Sequence, residues 1–374
     1  VFKFMMGMTY EQFKYQNIAW PIQNFCRNYH ILVGSKNINR EKIVDINHIT
    51  KELFGLSVDE LLAVEMMILW LCSQNPDPLS APEHLYHRSE TSIISKETLE
   101  KVISYYSITY DEIWNSPIGK QIFYSKPFVI TKKTKESIMV SFYLLVMTFA
   151  DGLYWMVRDY YRNNNLGQQF INAFGEMFED YFEELASIYL DEKQWFKIPE
   201  QKKKSADYYV EFDDVIILFE LKSGLLGIGA KQQVPDIQQI DTFYKRNILE
   251  AYEQLKNSEE EFRGEKQILK IFLLYESATN MQIIMSSIPD IFAKDKGCYI
   301  MTIEDLEMLL ATYQNDREKF KKVIHELINN ENSEGKSESV LKVLNDYGAT
   351  GDMHFIGKRD YFSNILKSFE DDLR

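Results

Sequence analysis

The feature that most constrains this chain is a short polar turn followed at once by an apolar run. The residues Asp213-Asp214 separate two β-like segments, and a two-residue connection of this kind predicts a β-hairpin. The run Val215–Phe219 is continuously apolar, which is typical of a strand covered on both faces. The hairpin register sets Tyr209 opposite Leu218 and fixes which residues meet at the open end.

Charged residues stand at that open end. Asp207 falls opposite Glu220, and like charges so placed are destabilising unless something compensates them. Because side chains alternate along a strand, Lys222 lies on the same face as Glu220, while Leu221 points into the opposite layer. The pattern therefore predicts that Asp207, Glu220 and Lys222 converge around a divalent cation. Taken alone, Glu-x-Lys is also typical of a strand that emerges into solvent with an ordinary surface ion pair.

The chain reads as two folded parts and a tail. Long apolar-periodic segments predict a mostly helical domain over 1–165, including one helix from Glu136 to Tyr161. Residues 166–328 combine an amphipathic helix over Gln168–Leu190 with β-like runs, which predicts a mixed sheet flanked by helices. The predicted strands are Tyr208–Phe212, Val215–Lys222, Ile268–Tyr275 and Cys298–Thr302. Residues 329–374 read as a linker and a short helical C-terminal segment. The fold class expected is α+β.

Composition limits the compartment and the partners. Three widely spaced cysteines without a CxxC pair argue against a disulfide framework and a zinc ribbon, so a reducing cytoplasm is expected. No apolar stretch is long enough to predict a membrane span. The net charge of −14 disfavours a polyanionic partner, yet basic clusters at 132–135 and 202–204 remain as candidate phosphate contacts or as solvated faces.

Around the Asp207, Glu220 and Lys222 set, the sequence resembles the PD-(D/E)xK nuclease superfamily over about residues 168–310. In that family an acid on one strand of a hairpin and a (D/E)-x-K on the next bind magnesium and position the attacking water. Glu179, in Phe174-Gly-Glu-Met-Phe-Glu179, is similar to the family's helical acid. Gln254, in Ala251-Tyr-Glu-Gln254, is similar to a glutamine on the helix after the strand. The family's eponymous proline is absent before Asp207.

The resemblance implies a restriction-endonuclease-like domain that hydrolyses phosphodiester bonds with Mg²⁺, for which Mn²⁺ can substitute. It assigns the metal to Asp207, Glu220 and the Leu221 carbonyl, and it leaves Lys222 three roles: orienting the water, deprotonating it, or stabilising developing charge. Lys204 and Lys231 are the expected substrate contacts. Lys231 is the last residue of a Gly-containing stretch, 223–231, that fails the phosphate-loop spacing.

The expected function is therefore a metal-dependent endonuclease acting on DNA in preference to RNA. Restriction or anti-phage defence is the setting suggested by analogy, and a homodimer or larger assembly would be needed to cut two strands. A regulatory protein partner is a further expectation. Two alternatives stay open: a nucleic-acid-binding module of the same fold without catalysis, and a protein-interaction scaffold, which the acidic balance favours.

Overall fold

The computed structural model describes residues 19–34, 45–86, 94–117, 119–199, 203–224, 245–262, 264–275, 288–295, 297–329 and 339–349, with positions 238, 242–243 and 285. It is an α+β fold with two separate mixed sheets. The chain divides into two compact units, whose described parts lie within 19–173 and 174–349. None of the helices in these ranges is both long and apolar enough to cross a lipid bilayer.

The first unit contains six α-helices and a small sheet among its described residues. The helices are α1 (Ala19–Tyr29), α2 (Ile46–Phe54), α3 (Val58–Gln74), α4 (Lys96–Tyr105), α5 (Tyr110–Trp114) and α6 (Phe142–Asn163). The strands are β1 (Ser107–Thr109), β2 (Phe128–Ile130) and β3 (Ser137–Met139). A capping box starts α3, in which Ser57 and Glu60 satisfy each other's backbone N–H groups.

The sheet corrects the prediction for this unit. β2 pairs parallel to β1 and antiparallel to β3, so residues 137–139 are a strand and the helix predicted from Glu136 begins only at Phe142. Ser141 caps that helix, its hydroxyl accepting from the Leu144 N–H. Three-residue strands carry too few apolar residues for their period to be distinguished from that of the adjoining helix.

A buried acid lies in the core of the first unit. Glu65 on α3 is 4% exposed and accepts a hydrogen bond of 2.9 Å from the Tyr106 hydroxyl. Burial raises the pKa of the Glu65 carboxyl to about 8, although the Tyr106 bond acts to lower it. The pair satisfies a polar group that would otherwise be costly among apolar neighbours.

The second unit is built on a five-stranded mixed sheet. Its strands are β4 (Trp195–Lys197), β5 (Tyr208–Glu211), β6 (Val215–Lys222), β7 (Gln267–Leu274) and β8 (Cys298–Thr302), in that order across the sheet. The first three pair antiparallel, whereas β6, β7 and β8 run parallel. The predicted bounds of β6 and β8 are confirmed.

In the described sequence, α-helices precede, connect and follow the strands of this sheet. They are α7 (Gly167–Tyr189), α8 (Glu250–Glu261), α9 (Pro289–Phe292), α10 (Ile303–Asn315), α11 (Arg317–Asn329) and α12 (Val340–Asp346). The predicted apolar stripe of α7 is buried, and Phe182 packs against Tyr208 and Phe219 of the sheet. Because α8 lies between β6 and β7 in the sequence and these strands are parallel, it forms part of the crossover connection between them.

A buried ion network ties the crossover helix to β7. Lys270 on β7 is 1% exposed, and its Nζ lies 2.6 Å from Glu259 Oε1 and 2.9 Å from Asp295 Oδ1. Lys256 bonds the same two acids, and the Tyr252 hydroxyl donates to Asp295. Each buried charge is therefore paired and hydrogen-bonded, as burial requires.

Candidate functional site

The hairpin that was expected to carry the site has the predicted register. Tyr208 pairs with Phe219 and Tyr209 with Leu218, and the Phe212 N–H donates to the Val215 carbonyl across the two-residue turn. The whole of Val215–Leu221 is buried, and only Lys222 reaches partial exposure. An apolar strand thus delivers two charged residues to one end of the sheet.

Asp207 lies one residue before β5 and is fixed by three hydrogen bonds. Its N–H donates to the Phe219 carbonyl at 3.0 Å, and its own carbonyl accepts from the Ile198 N–H at 2.8 Å. Its Oδ2 accepts the Leu221 N–H at 2.7 Å, so the carboxylate itself bridges to β6. Burial raises the pKa of Asp207, although the Leu221 N–H and Lys222 oppose the rise.

Glu220 is the most deeply buried acid of the group. Its side chain is 1% exposed, and Lys222 Nζ donates to its Oε1 at 2.5 Å. Its Oε2 is buried and has no hydrogen-bond partner among the residues that the structure describes. Burial, reinforced by the Asp207 carboxylate, raises the pKa of Glu220 to about 8, while Lys222 and Gln254 act to lower it.

The Leu221 carbonyl faces the same side of β6 as Asp207. The N–H and C=O of one strand residue point to the same neighbouring strand, and successive residues alternate. The Lys222 carbonyl accepts from Tyr275 in the chain that follows β7, whereas the Leu221 N–H is bonded to Asp207. The Asp207 carboxylate and the Leu221 carbonyl therefore lie on the same side of β6, and the Asp207 charge is near enough to Glu220 to raise its pKa.

The crossover helix α8 holds the segment that precedes Asp207. Gln254 Nε2 donates to the Ser205 carbonyl at 3.2 Å, and Asn257 Nδ2 donates to the Lys204 carbonyl at 2.7 Å. The Ser258 hydroxyl, one turn beyond Gln254, accepts the Ala206 N–H at 2.9 Å. Gln254 therefore helps to position the segment before Asp207, and it also lies close to Glu220. The Lys204 side chain is exposed at the surface.

Glu179 lies beside the hairpin end but is engaged by another cation. Lys197 Nζ on β4 lies 2.7 Å from Glu179 Oε2. Partial burial acts to lower the pKa of Lys197, but the bond to Glu179 and the nearby Glu183 and Asp207 carboxylates together raise it. Glu179 in turn acts to raise the pKa of Asp207, so the three groups share one electrostatic environment.

Oxygen donors are the ligands that Mg²⁺ and Mn²⁺ prefer, and the unpartnered Glu220 oxygen leaves one donor available. Asp207, Glu220 and the Leu221 carbonyl could therefore hold such an ion. In the part of the chain described, no group of three or more His, Cys, Asp and Glu side chains is placed to bind a metal. A metal here would complete its shell with water, as Mg²⁺ usually does.

Two residues near the site were not predicted from the sequence, and one predicted residue cannot be located in the structure. Lys231 lies outside the described residues. Lys197 and Ser258 were missed, because β4 is only three residues long and a helical serine carries no pattern of its own. The one available signal for Ser258 was its i+4 spacing from Gln254, which puts both on one helix face.

No protein-family model matches this chain, and its sequence has no significant match among curated proteins.

Proposed function

We propose that this chain is a metal-dependent nuclease that hydrolyses phosphodiester bonds with Asp207, Glu220 and Lys222. The observation that carries the proposal is the buried Glu220 carboxylate, in which Oε1 accepts from Lys222 and Oε2 has no hydrogen-bond partner among the described residues. Leaving a buried polar oxygen unpaired is costly, and a bound ion or ligand is one recognised explanation for such an atom in a folded protein. A second carboxylate, Asp207, lies at the same hairpin end.

The roles of the residues follow from their positions. Asp207, Glu220 and the Leu221 carbonyl would hold Mg²⁺ or Mn²⁺, which when bound supplies charge stabilisation at the phosphate and a more acidic water. Lys222, adjacent to Glu220, would orient that water, deprotonate it or stabilise the charge that develops on the phosphate oxygens. Gln254 and Ser258 keep the segment before Asp207 in place.

The surrounding architecture supports this reading. A hairpin inside a mixed sheet, followed by a helix with Gln254, is the arrangement that the resemblance to PD-(D/E)xK nucleases implies. DNA is the proposed substrate and RNA the alternative, with Lys204 as an exposed phosphate contact. The proposed setting is restriction or anti-phage defence, and cleavage of both strands would require two copies of the chain.

Incubation with supercoiled plasmid, linear duplex and RNA, each with Mg²⁺, Mn²⁺ or EDTA, tests the proposal. We expect cleavage that needs the metal and that Asp207→Ala, Glu220→Ala and Lys222→Ala each abolish. Full activity in any two of these variants would refute the site. Salt-sensitive binding without cleavage would favour a non-catalytic nucleic-acid-binding module, and no binding at low salt would favour a scaffold.

Replacing Lys197 should tighten metal binding. Its ammonium and a bound cation are attracted to the same carboxylates, Glu179 and Asp207, so Lys197→Ala removes a competing charge. We expect Mn²⁺ affinity measured by calorimetry, without substrate, to rise by about three- to tenfold at low salt. Lys203→Ala, which removes an equally exposed lysine paired with Glu260, is the matched control and should leave the affinity unchanged. Unchanged or weaker Mn²⁺ binding by Lys197→Ala would contradict the assignment.

A further inference from the structure

A separate cavity lies at the turn end of the hairpin, opposite the end that carries Asp207 and Glu220. Its volume is 530 Å³, within the usual range for small-molecule sites. The hairpin turn, the first residue of β7 and one face of α11 form its walls. Val215, on the cavity wall, and Glu220 are five residues apart on one strand, or about 17 Å. The cavity is therefore not part of the candidate catalytic site.

The floor of this cavity is aromatic. Phe212, Tyr313 and Phe320 pack with ring centroids 4.8 to 5.0 Å apart. The Tyr313 hydroxyl and the Gln194 amide hydrogen-bond each other, which fixes the orientation of the Tyr313 ring. Tyr313 and Phe320 are almost fully buried and the Arg317 guanidinium covers one face of Tyr313, so the half-buried Phe212 provides the accessible aromatic surface on which another planar ring can pack.

The α11 residues that line the cavity are mostly basic, with one acid, Glu318, among them. The Arg317 guanidinium lies 3.3 Å from the centroid of the Tyr313 ring, which pre-orients its fork of donors. Among the described residues, no carboxylate lies within ion-pair distance of Arg317, Lys322 or His325. Lys321 Nζ lies 3.9 Å from Glu318 Oε1, and both side chains are largely exposed.

The hairpin turn adds two acids to the lining. Asp213 and Asp214 of the hairpin turn line the cavity, and within the described ranges neither pairs with a cation of α11. Acidic and basic side chains therefore line the same cavity without an ion pair between the turn and α11 among the described residues. A ligand that fits must offer an anionic group to one wall, hydrogen-bond donors to the other, and an apolar ring to the floor.

We propose that this cavity binds a free mononucleotide. The base packs on the aromatic floor, the phosphate accepts hydrogen bonds from Arg317 and Lys322, and the sugar hydroxyls donate to Asp213 and Asp214. An inorganic anion would use only the cationic wall, and an apolar compound would leave both charged walls unsatisfied. The base, the phosphate and the sugar each match one feature of the cavity. Nucleotide binding at this cavity does not require that the chain be a nuclease.

Calorimetric titration of the full chain with AMP, ATP, adenosine and pyrophosphate tests this proposal. The buffer contains EDTA, so that metal-bridged phosphate binding at the Asp207 end makes no contribution. We expect AMP or ATP to bind with micromolar affinity and both adenosine and pyrophosphate to bind at least tenfold more weakly. If pyrophosphate bound as tightly as ATP, the cavity would recognise only the phosphate groups and not the base, and the proposal would be overturned. Absence of AMP and ATP binding at millimolar concentration would do the same.

Variants locate the site. Arg317→Ala and Lys322→Ala should each weaken ATP binding at least tenfold, whereas Lys294→Ala, which removes an exposed lysine outside the cavity, should not. Asp207→Ala should bind ATP as the unmodified chain does, which separates this cavity from the candidate catalytic site. Loss of ATP binding in Asp207→Ala, or its retention in Arg317→Ala, would place the nucleotide elsewhere.

Discussion

Glu220→Gln is expected to abolish phosphodiester cleavage and, at the same time, to stabilise the folded chain. The amide keeps the shape of the side chain but removes the charge that would bind the metal. It also removes the cost of burying a carboxylate whose pKa is raised to about 8, mainly by desolvation. Removing that charge should raise the free energy of unfolding by about 1 kcal/mol at pH 8, less than the shift alone implies because Lys222 loses its partner.

The pH dependence of this gain has a defined sign. The folded state holds the Glu220 proton more tightly than the unfolded state, so the carboxylate costs stability as pH rises from about 4.5 to about 8. The difference between Glu220→Gln and the unmodified chain should therefore be small at pH 4.5 and full above pH 8. Denaturant unfolding at several pH values measures it.

Glu211→Gln is the matched control. It is the same chemical change in the same hairpin, but Glu211 is 40% exposed and pairs with Lys266 at the surface. We expect it to retain cleavage and to show no comparable gain in stability. A Glu220→Gln variant that still cleaves plasmid would remove Glu220 from the site, whatever its stability.

Lys270→Met should destabilise the chain by about 3–5 kcal/mol, the usual cost of removing one partner from a buried ion pair. The loss leaves Glu259 and Asp295 sharing the single Lys256, with both acids largely shielded from solvent. Methionine fills nearly the same volume, so the effect reports charge rather than a cavity. Denaturant unfolding at neutral pH measures it.

Lys294→Met makes the same substitution in an ion pair that is largely exposed, with Asp290 at 2.5 Å. Exposed pairs contribute little, so this variant should unfold almost as the unmodified chain does. Adding Glu259→Gln to Lys270→Met should recover part of the loss, because it removes one unpaired buried acid. Equal effects of Lys270→Met and Lys294→Met would show that burial does not set the strength of the Lys270 network.

The hairpin could be predicted from sequence because its determinants are local. Two turn residues and an alternating or continuous apolar pattern set both the register and the buried faces, and β6 has the bounds that the pattern indicated. The convergence of Asp207 with the β6 backbone follows from the same register. The positions of β7 and β8 were also visible, since each is a short apolar run with clear boundaries.

Contacts between distant segments could not be predicted in the same way. The bond between Lys197 and Glu179 joins an edge strand to a helix, and neither residue type signals the other. The small sheet of the first unit consists of three-residue strands, which sequence periodicity cannot resolve. The buried Glu65 looked like any polar residue in a helix, because its partner Tyr106 is 41 residues away.

The arrangement of β5, β6 and β7 also sets an order for folding. The antiparallel pairing of β5 with β6 closes a two-residue loop, whereas the parallel pairing of β6 with β7 must first close a segment of more than forty residues. We therefore expect Asp207 and Glu220 to come together while both are still hydrated, when their repulsion is weak. In this order of folding, the electrostatic penalty is incurred only when β7 and the crossover helix exclude water.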